Sequence, residues 1–181
     1  MGLLIPSRMD IEHLEVIRKN VVVFMLYASQ TYAQNAGRLL DIAPQVHEGA
    51  SPFFSSSITI ETLDIAPEAK TTYTADITQC NEFIPNSHFN YIVCTEVLEH
   101  TLNPFAAIEE IHRLLCIGGY LFLTVPFNFR IHGPLPDCWR FTEHGLRAIL
   151  SMFDILELTS LETIDRPLMP IHYTVVARKR K

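Results

Sequence analysis

The chain has 181 residues, 48% of them apolar and 19% charged, with a formal net charge of −6, which describes one globular, rather apolar domain with enough chain for a full core. The acidic balance disfavours nucleic acid, since affinity for a phosphate backbone rests on clustered Lys and Arg; the only basic cluster, Arg178 to Lys181, reads as a solvated terminus. The longest apolar run, Val21 to Ala28, is far below the roughly 20 residues that span a bilayer, and Cys80, Cys94, Cys116 and Cys138 have no C-x-x-C spacing, as expected of reduced thiols in a cytoplasmic protein.

Ile11, Leu14, Ile17, Val21, Met25 and Ala28 recur at helical spacing between Asp10 and Ala36. They predict a long leading helix, with Asp10 as N-cap and Gly37 as its stop. Arg38 to Ile42 and Ile58 to Leu63 read as the first two strands, joined by a crossover with room for at most a short helix. Thr72 to Ala75 is a weak third strand closing on Asp76, and Asn90 to Val93 is the fourth. Asn103 and Pro104 open a helix with a core face of Phe105, Ile108, Ile111 and Leu115, ending at Gly118-Gly119. Tyr120 to Val125 is the fifth strand. After a polar, aromatic loop at 127–141, Thr142 caps a helix over Glu143 to Met152. Phe153 to Ser160 and His172 to Ala177 close the chain as an antiparallel pair at one edge, because eleven residues are too few for a parallel return. The pattern predicts an α/β, doubly wound, mostly parallel Rossmann-like sheet of about seven strands in three layers.

The strand at Asn90 to Val93 turns polar at Cys94, Thr95 and Glu96 and runs on through Val97-Leu98-Glu99-His100. In an open parallel sheet the ligand crevice lies outside the carboxyl ends of the strands, so function is expected there.

Several stretches together carry a resemblance. They are Glu96-Val97-Leu98-Glu99-His100, the helix ending Arg113-Leu114-Leu115-Cys116-Ile117-Gly118-Gly119, the strand end Thr124-Val125-Pro126, and His132 followed by Pro136-Asp137-Cys138-Trp139-Arg140-Phe141-Thr142. In this order and spacing the chain resembles class I S-adenosylmethionine-dependent methyltransferases from about Arg38 onward. The resemblance implies a leading helix (1–37), a cofactor-binding half (38–125) and a substrate-side loop with C-terminal strands (126–181) of a single domain (1–181).

A carboxylate closing the second strand can accept both ribose hydroxyls, and Asp64, followed by Ile65, has that place. By resemblance, Asp76 accepts from the adenine amino group beside the Ile77 backbone; a turn cap is the structural alternative. Cys94 and Thr95 would line the methionine part, Cys94 serving equally as a small core residue. The first strand ends Asp41-Ile42-Ala43-Pro44-Gln45, which keeps the acid but lacks the family's glycines, so Ala43, Pro44 and Gln45 imply a re-shaped cofactor loop.

His100 and His132 are the candidate bases for deprotonating an acceptor, His132 the more so to face substrate, with a structural hydrogen bond to a neighbouring loop as the alternative for His100. Asp137, Trp139 and Arg140 are candidate substrate contacts; an ion pair of Asp137 and Arg140 folding the loop, with Trp139 beneath, is the favoured role for Arg140 and Trp139. Metal binding by His132, Asp137 and Cys138 fits no common ligand spacing, and no metal is expected. His13, His47, His88, His112, His144 and His172 read as surface or helix residues.

The function these residues imply is methyl transfer from S-adenosylmethionine to a small-molecule acceptor, with S-adenosylhomocysteine as product, no nucleic-acid or membrane partner, and room for a homo-oligomer in the apolar surface. A non-catalytic methyltransferase-like partner or scaffold is the alternative. A nicotinamide-dependent dehydrogenase ranks below both, since G-x-G-x-x-G is missing after the first strand.

Overall fold

Residues 5–44 and 48–180 are described by the structure, a computed structural model. Helix α1 (Arg8–Tyr32) starts one turn earlier than the sequence predicts. Ser7 is the N-cap: its Oγ accepts from the Asp10 N–H (3.2 Å) while Asp10 Oδ2 accepts from the Ser7 N–H (2.9 Å). Asp10 is thus the third residue of a capping box, which satisfies two otherwise orphaned donors. The helix ends at Ala33, and Gly37 is the first residue of a strand rather than a helix stop. A Cβ on Gly37 would stand 2.5 Å from Asn90 Oδ1, the atom that accepts from the Arg38 N–H.

Seven strands follow: β1 (Gly37–Ile42), β2 (Ile58–Asp64), β3 (Tyr73–Thr74), β4 (Phe89–Thr95), β5 (Leu115–Pro126), β6 (Phe153–Leu161) and β7 (His172–Lys179). Their order is β3-β2-β1-β4-β5-β7-β6. All pairings are parallel except those of β7, which runs antiparallel to both β5 and β6 and so sits one strand in from the edge. This is the expected doubly wound, mostly parallel sheet. Its direction of winding reverses between β1 and β4, which opens a crevice at the strand ends there.

Side chains alternate across each strand, so neighbouring residues belong to different layers. Leu39, Tyr91, Val93, Phe122 and Val176 face α1 through Phe24, Met25 and Ala28. Leu40, Ile92, Leu121, Leu123 and Val175 face the opposite layer. That layer holds α2 (Pro104–Leu114) and α3 (Glu143–Ile149). Asn103 caps α2 as predicted, its Oδ1 accepting from the Ala106 N–H (3.2 Å). The buried face of α2 is Ala107, Ile108, Ile111 and Leu114; Phe105 is 57% exposed, one residue off that face.

Gly118 and Gly119 do not end α2, because β5 already begins at Leu115. The register with β4 jumps from Phe89↔Leu115 to Tyr91↔Tyr120, and the glycines build that irregularity. Gly118 has φ +78°, and a Cβ on Gly119 would lie 2.9 Å from the Asn90 carbonyl oxygen. Thr142 caps α3 by accepting from the Gly145 N–H (3.1 Å), but α3 stops at Ile149, three residues before Met152. His172 is fully buried at the start of β7, where the sequence suggests a surface or helix position. No helix among the described residues is long and apolar enough to cross a membrane.

Candidate active site

A cleft of about 950 Å³ opens at the carboxyl ends of β1 to β4. That is at the upper end of the roughly 300–1,000 Å³ usual for small-molecule sites. Its floor is apolar, from Ile42, Leu63, Ala75, Ile77 and Val97, while Asp64, Glu68, Asp76 and Glu96 supply carboxylates. No Lys or Arg is among the described residues that line it.

Asp64 closes β2 at 4% exposure. Its Oδ1 accepts from the Ala66 N–H (2.8 Å), while Oδ2 is buried with no partner among the described residues. A buried acceptor at a ligand cleft with nothing to accept from is a place for a ligand hydroxyl. Ile65 beside it is exposed and lines the same cleft. Asp76 also lines the cleft, but its Oδ1 caps a turn, accepting from the Thr78 N–H and hydroxyl at 2.8 Å each. The Asp76 backbone is fixed in turn by Asn81 Nδ2, which donates to its carbonyl (3.0 Å), and Asn81 is held by the Arg113–Glu110 pair on α2.

The first loop departs from a glycine-rich turn in a specific way. Ala43, at the cleft, has φ +54°, a conformation suited to glycine. The glycine is instead Gly49 (φ +55°), where a Cβ would lie 2.1 Å from Asp41 Oδ2 and 2.8 Å from Pro44 Cβ. Its bare backbone lets the chain fold over Asp41, whose Oδ2 accepts from the Ala50 N–H (2.7 Å). Asp41 is therefore committed to the loop, and burial pushes its carboxyl up to about 6. Asp41 and Pro44 do not line the cleft, and Gln45 lies outside the described residues.

The Cys94 side chain is fully buried in the core, and burial pushes its thiol up. Thr95, half-buried, ends β4. Beyond it Glu96 has φ +55°, which turns the chain from strand into cleft wall. Glu96 Oε1 accepts from Thr124 Oγ1 (2.8 Å) and from His172 Nε2 (2.7 Å). His172 Nδ1 is in turn 2.8 Å from Asn20 Nδ2 on α1, so a chain of hydrogen bonds through the buried imidazole runs from the leading helix to the cleft.

Glu99 is fully buried and has no hydrogen-bond partner for either carboxylate oxygen among the described residues. Burial first, and then the Glu96 charge, push its carboxyl well above the usual carboxylate range. Next to it His100 lines the cleft, with Nδ1 2.9 Å from the Pro136 carbonyl oxygen. The 127–141 loop is clamped on this turn: the N–H groups of Cys138 and Trp139 both donate to Glu99 O (2.7 and 3.2 Å), and Trp139 Nε1 donates to Thr101 O (2.8 Å). The Trp139 ring, 40% exposed, stacks on Phe141 at 6.3 Å between centroids.

Arg140 grips Asp137 with two donors (2.5 and 2.7 Å). Burial alone would raise the Asp137 carboxyl, but Arg140 and the His132 N–H outweigh it and hold it at about 2. Neither Asp137, Trp139 nor Arg140 lines the cleft, and His132 stands behind His100, their rings 4.8 Å apart. Of the two histidines it is His100 that reaches the cleft. Glu96, Glu99 and His172 were assigned no role by sequence reasoning; the two carboxylates standing in the Glu96-Val97-Leu98-Glu99-His100 stretch were the available signal.

This sheet order with an acidic crevice at its winding reversal defines a Rossmann-like methyltransferase domain. A family model described as a methyltransferase domain matches residues 13–163, and the chain belongs to that family. It is an enzyme family whose cofactor is S-adenosylmethionine. Among solved structures the chain is similar to the [4+2]-cyclase SpnF, with a TM-score of 0.70 at 16% identity over 88% of this chain and 80% of that one. It is also similar to the 1,6-didemethyltoxoflavin-N1-methyltransferase of Burkholderia thailandensis, solved with 1,6-didemethyltoxoflavin and S-adenosylhomocysteine bound (TM-score 0.64, 16% identity, 98% and 93% of the two chains). A third is the N-methyltransferase NodS from Bradyrhizobium japonicum WM9 (TM-score 0.64, 15% identity, 91% and 97%). At these identities the likeness is one of fold. No curated protein matches the chain.

Proposed function

We propose that the protein transfers a methyl group from S-adenosylmethionine to a small-molecule acceptor, with Asp64 holding the ribose and His100 facing the reacting end. The observation that carries this reading is the buried Asp64 Oδ2, without a partner among the described residues, in a cleft lined by four carboxylates and by no described Lys or Arg. Such a lining favours a cationic sulfonium and amino group and disfavours the pyrophosphate of a dinucleotide. The residues that line the cleft fit the cofactor: Asp64 would accept from ribose hydroxyls, Asp76 and Ile77 flank the base, and Ala43 and Glu96 bound the methionine part, whereas Cys94 and Thr95 do not line the cleft. Asp41 and Pro44 act indirectly, by shaping the loop.

When bound, the cofactor supplies an electrophilic methyl group for in-line displacement. The protein's largest contribution is holding the acceptor in line, worth up to roughly 7–11 kcal/mol in favourable cases. His100 Nδ1 faces a carbonyl, which only accepts, so Nδ1 carries the proton and Nε2 has the free lone pair. Nε2 takes the acceptor's proton as the methyl group arrives. The 127–141 loop, clamped on residues 99–101, closes the acceptor side; Asp137 and Arg140 keep it folded, and Trp139 pins it to Thr101.

Incubation with methyl-labelled S-adenosylmethionine and a fractionated cell extract tests the acceptor class. Label is expected in the small-molecule fraction, with His100→Ala slowing its appearance roughly 10²–10⁴-fold. Label confined to protein or nucleic acid would overturn the small-molecule assignment.

A further inference from the structure

We propose that Glu99, His100 and His132 form a binding site for a divalent transition-metal ion of the zinc class, held by one carboxylate oxygen and the two Nε2 atoms. A carboxylate group and two imidazole nitrogens converge where His100 forms the cleft wall and Glu99 and His132 stand behind it. His100 Nε2 lies 3.8 Å and His132 Nε2 4.0 Å from Glu99 Oε1, and one ligand atom from each residue falls within 4.8 Å of the others.

Both rings hold their protons on the far side. His100 Nδ1 faces the Pro136 carbonyl oxygen (2.9 Å), and His132 Nδ1 faces Asp137 Oδ2 (3.1 Å) and the Arg130 carbonyl oxygen (3.3 Å). Carbonyl oxygens accept, so Nδ1–H donates to Pro136 in His100 and to Arg130 in His132, and each Nε2 is left with a lone pair. Glu99 itself is fully buried, and no donor among the described residues reaches either of its oxygens. Separations of 3.8 and 4.0 Å are too long for hydrogen bonds, which run about 2.7–3.2 Å. They suit a cation set between the atoms.

A point equidistant from three atoms about 4–4.8 Å apart lies roughly 2.3–2.8 Å from each, so inward shifts of about half an ångström reach the ~2.0–2.2 Å typical of zinc–nitrogen and zinc–carboxylate bonds. The second layer is built for it. Asp137, locked by Arg140, accepts from the His132 backbone N–H and lies 3.1 Å from its Nδ1, while the Arg130 and Pro136 carbonyls set the tautomers of His132 and His100, the kind of support that metal-bound imidazoles have. Two nitrogens and one oxygen select a borderline transition metal over Mg²⁺ or Ca²⁺, which favour oxygen shells. Three protein ligands leave a coordination position open. His100, the one of the three that lines the cleft, cannot bind the ion and take a proton through Nε2 at once, so its ion-loaded and proton-accepting forms exclude one another. This set differs from the His132, Asp137 and Cys138 combination weighed in the sequence: Asp137 stands behind His132 as its support.

The test uses the full chain stripped with chelator, in a Cys80→Ser, Cys138→Ser background that removes the two exposed thiols. Zn²⁺ alone is titrated by calorimetry and Co²⁺ by absorption, with no methyl donor present, so the outcome is independent of methyl transfer. One equivalent of Zn²⁺ is expected to bind, unaffected by Mg²⁺, at least about 100-fold more weakly in Glu99→Gln and His132→Ala, and roughly 10–100-fold more weakly in Asp137→Asn. The absence of saturable one-equivalent uptake, or uptake equal in Glu99→Gln and His132→Ala, would overturn the site. If those variants do not fold by circular dichroism, the cobalt spectrum of the background protein decides: bands of four- or five-coordinate nitrogen and oxygen ligation support the site, and a thiolate charge-transfer band or a six-coordinate aqua spectrum rejects it.

Discussion

His172 Nε2 stands 2.7 Å from Glu96 Oε1, so a fully buried imidazole at the start of β7 donates to a carboxylate at the end of β4. Glu96 is a wall of the cleft, and the other face of His172 is held by Asn20 of α1. The leading helix is thereby tied to the site through one side chain. His172→Leu would remove the hydrogen bonds that the half-buried Glu96 and Asn20 make to it, at roughly 1.5–3 kcal/mol for the bond to the charged group and about 0.5–1.5 for the other. Urea unfolding should show a loss of about 2–4 kcal/mol; an unchanged midpoint would mean that the two groups find other partners.

Gly49 has no room for a side chain. Alanine there would take φ +55° and press its Cβ to 2.1 Å from Asp41 Oδ2. The left-handed backbone costs about 1–2 kcal/mol for a non-glycine residue, and relief of the contact must displace the Ala50 N–H bond to Asp41 as well. Gly49→Ala is expected to lose at least about 2 kcal/mol of stability in urea and to weaken S-adenosylhomocysteine binding. A variant as stable as the parent would show that the first loop does not rest on Asp41.

Asp41 gives a pH signature. Burial raises its carboxyl to about 6, so in the folded protein it keeps a proton that the unfolded chain loses near pH 4. Its contribution to stability is full below about pH 4, declines as pH rises toward about 6, and is gone above that. Asp41→Asn keeps an acceptor for the Ala50 N–H but has nothing to titrate. Compared with the parent, its relative stability should therefore improve by roughly 2–3 kcal/mol between pH 4 and pH 7. Parallel stability profiles across that range would contradict this assignment.

Arg113 and Glu110 organise the segment that carries Asp76. Arg113 donates to both Glu110 oxygens (2.7 Å each) and to the carbonyls of Ile84 and Asn81. The Glu110 side chain is only 4% exposed. Arg113→Ala leaves that carboxylate without its cation, a change that costs about 3–5 kcal/mol where such a pair is buried. Thermal unfolding and proteolysis within residues 76–88 report it; resistance equal to the parent's would refute the role given to the pair.

The fold was legible wherever the signal is local. Strand patterns at Arg38–Ile42 and Ile58–Leu63, and the caps Asn103-Pro104 and Thr142, each depend on neighbours a few residues away, and each appears in the structure within a residue or two. The place of Asp64 at the close of β2 was legible because a strand end is itself a local feature. Contacts between distant segments were not legible. Gly118 and Gly119 look like a helix stop until Asn90 is brought against them, and Gly49 looks like loop until Asp41 lies beneath it. His172 meets Glu96 across 76 residues of sequence, and nothing near His172 marks it as buried. Asp10 was misplaced for a different reason: Ser7 and Asp10 both offer a capping oxygen, and the reciprocal bonds decide between them.

The central claim is that the Asp64 cleft binds the nucleoside of S-adenosylmethionine, and calorimetric titration with S-adenosylhomocysteine of the parent and of Asp64→Asn tests it most directly. Charge-assisted hydrogen bonds contribute roughly 1.5–3 kcal/mol each, so the parent should bind and the variant should bind at least about 10-fold more weakly, with its fold intact by circular dichroism. No heat of binding to the parent at millimolar ligand, or equal affinity in the two proteins, would contradict the account.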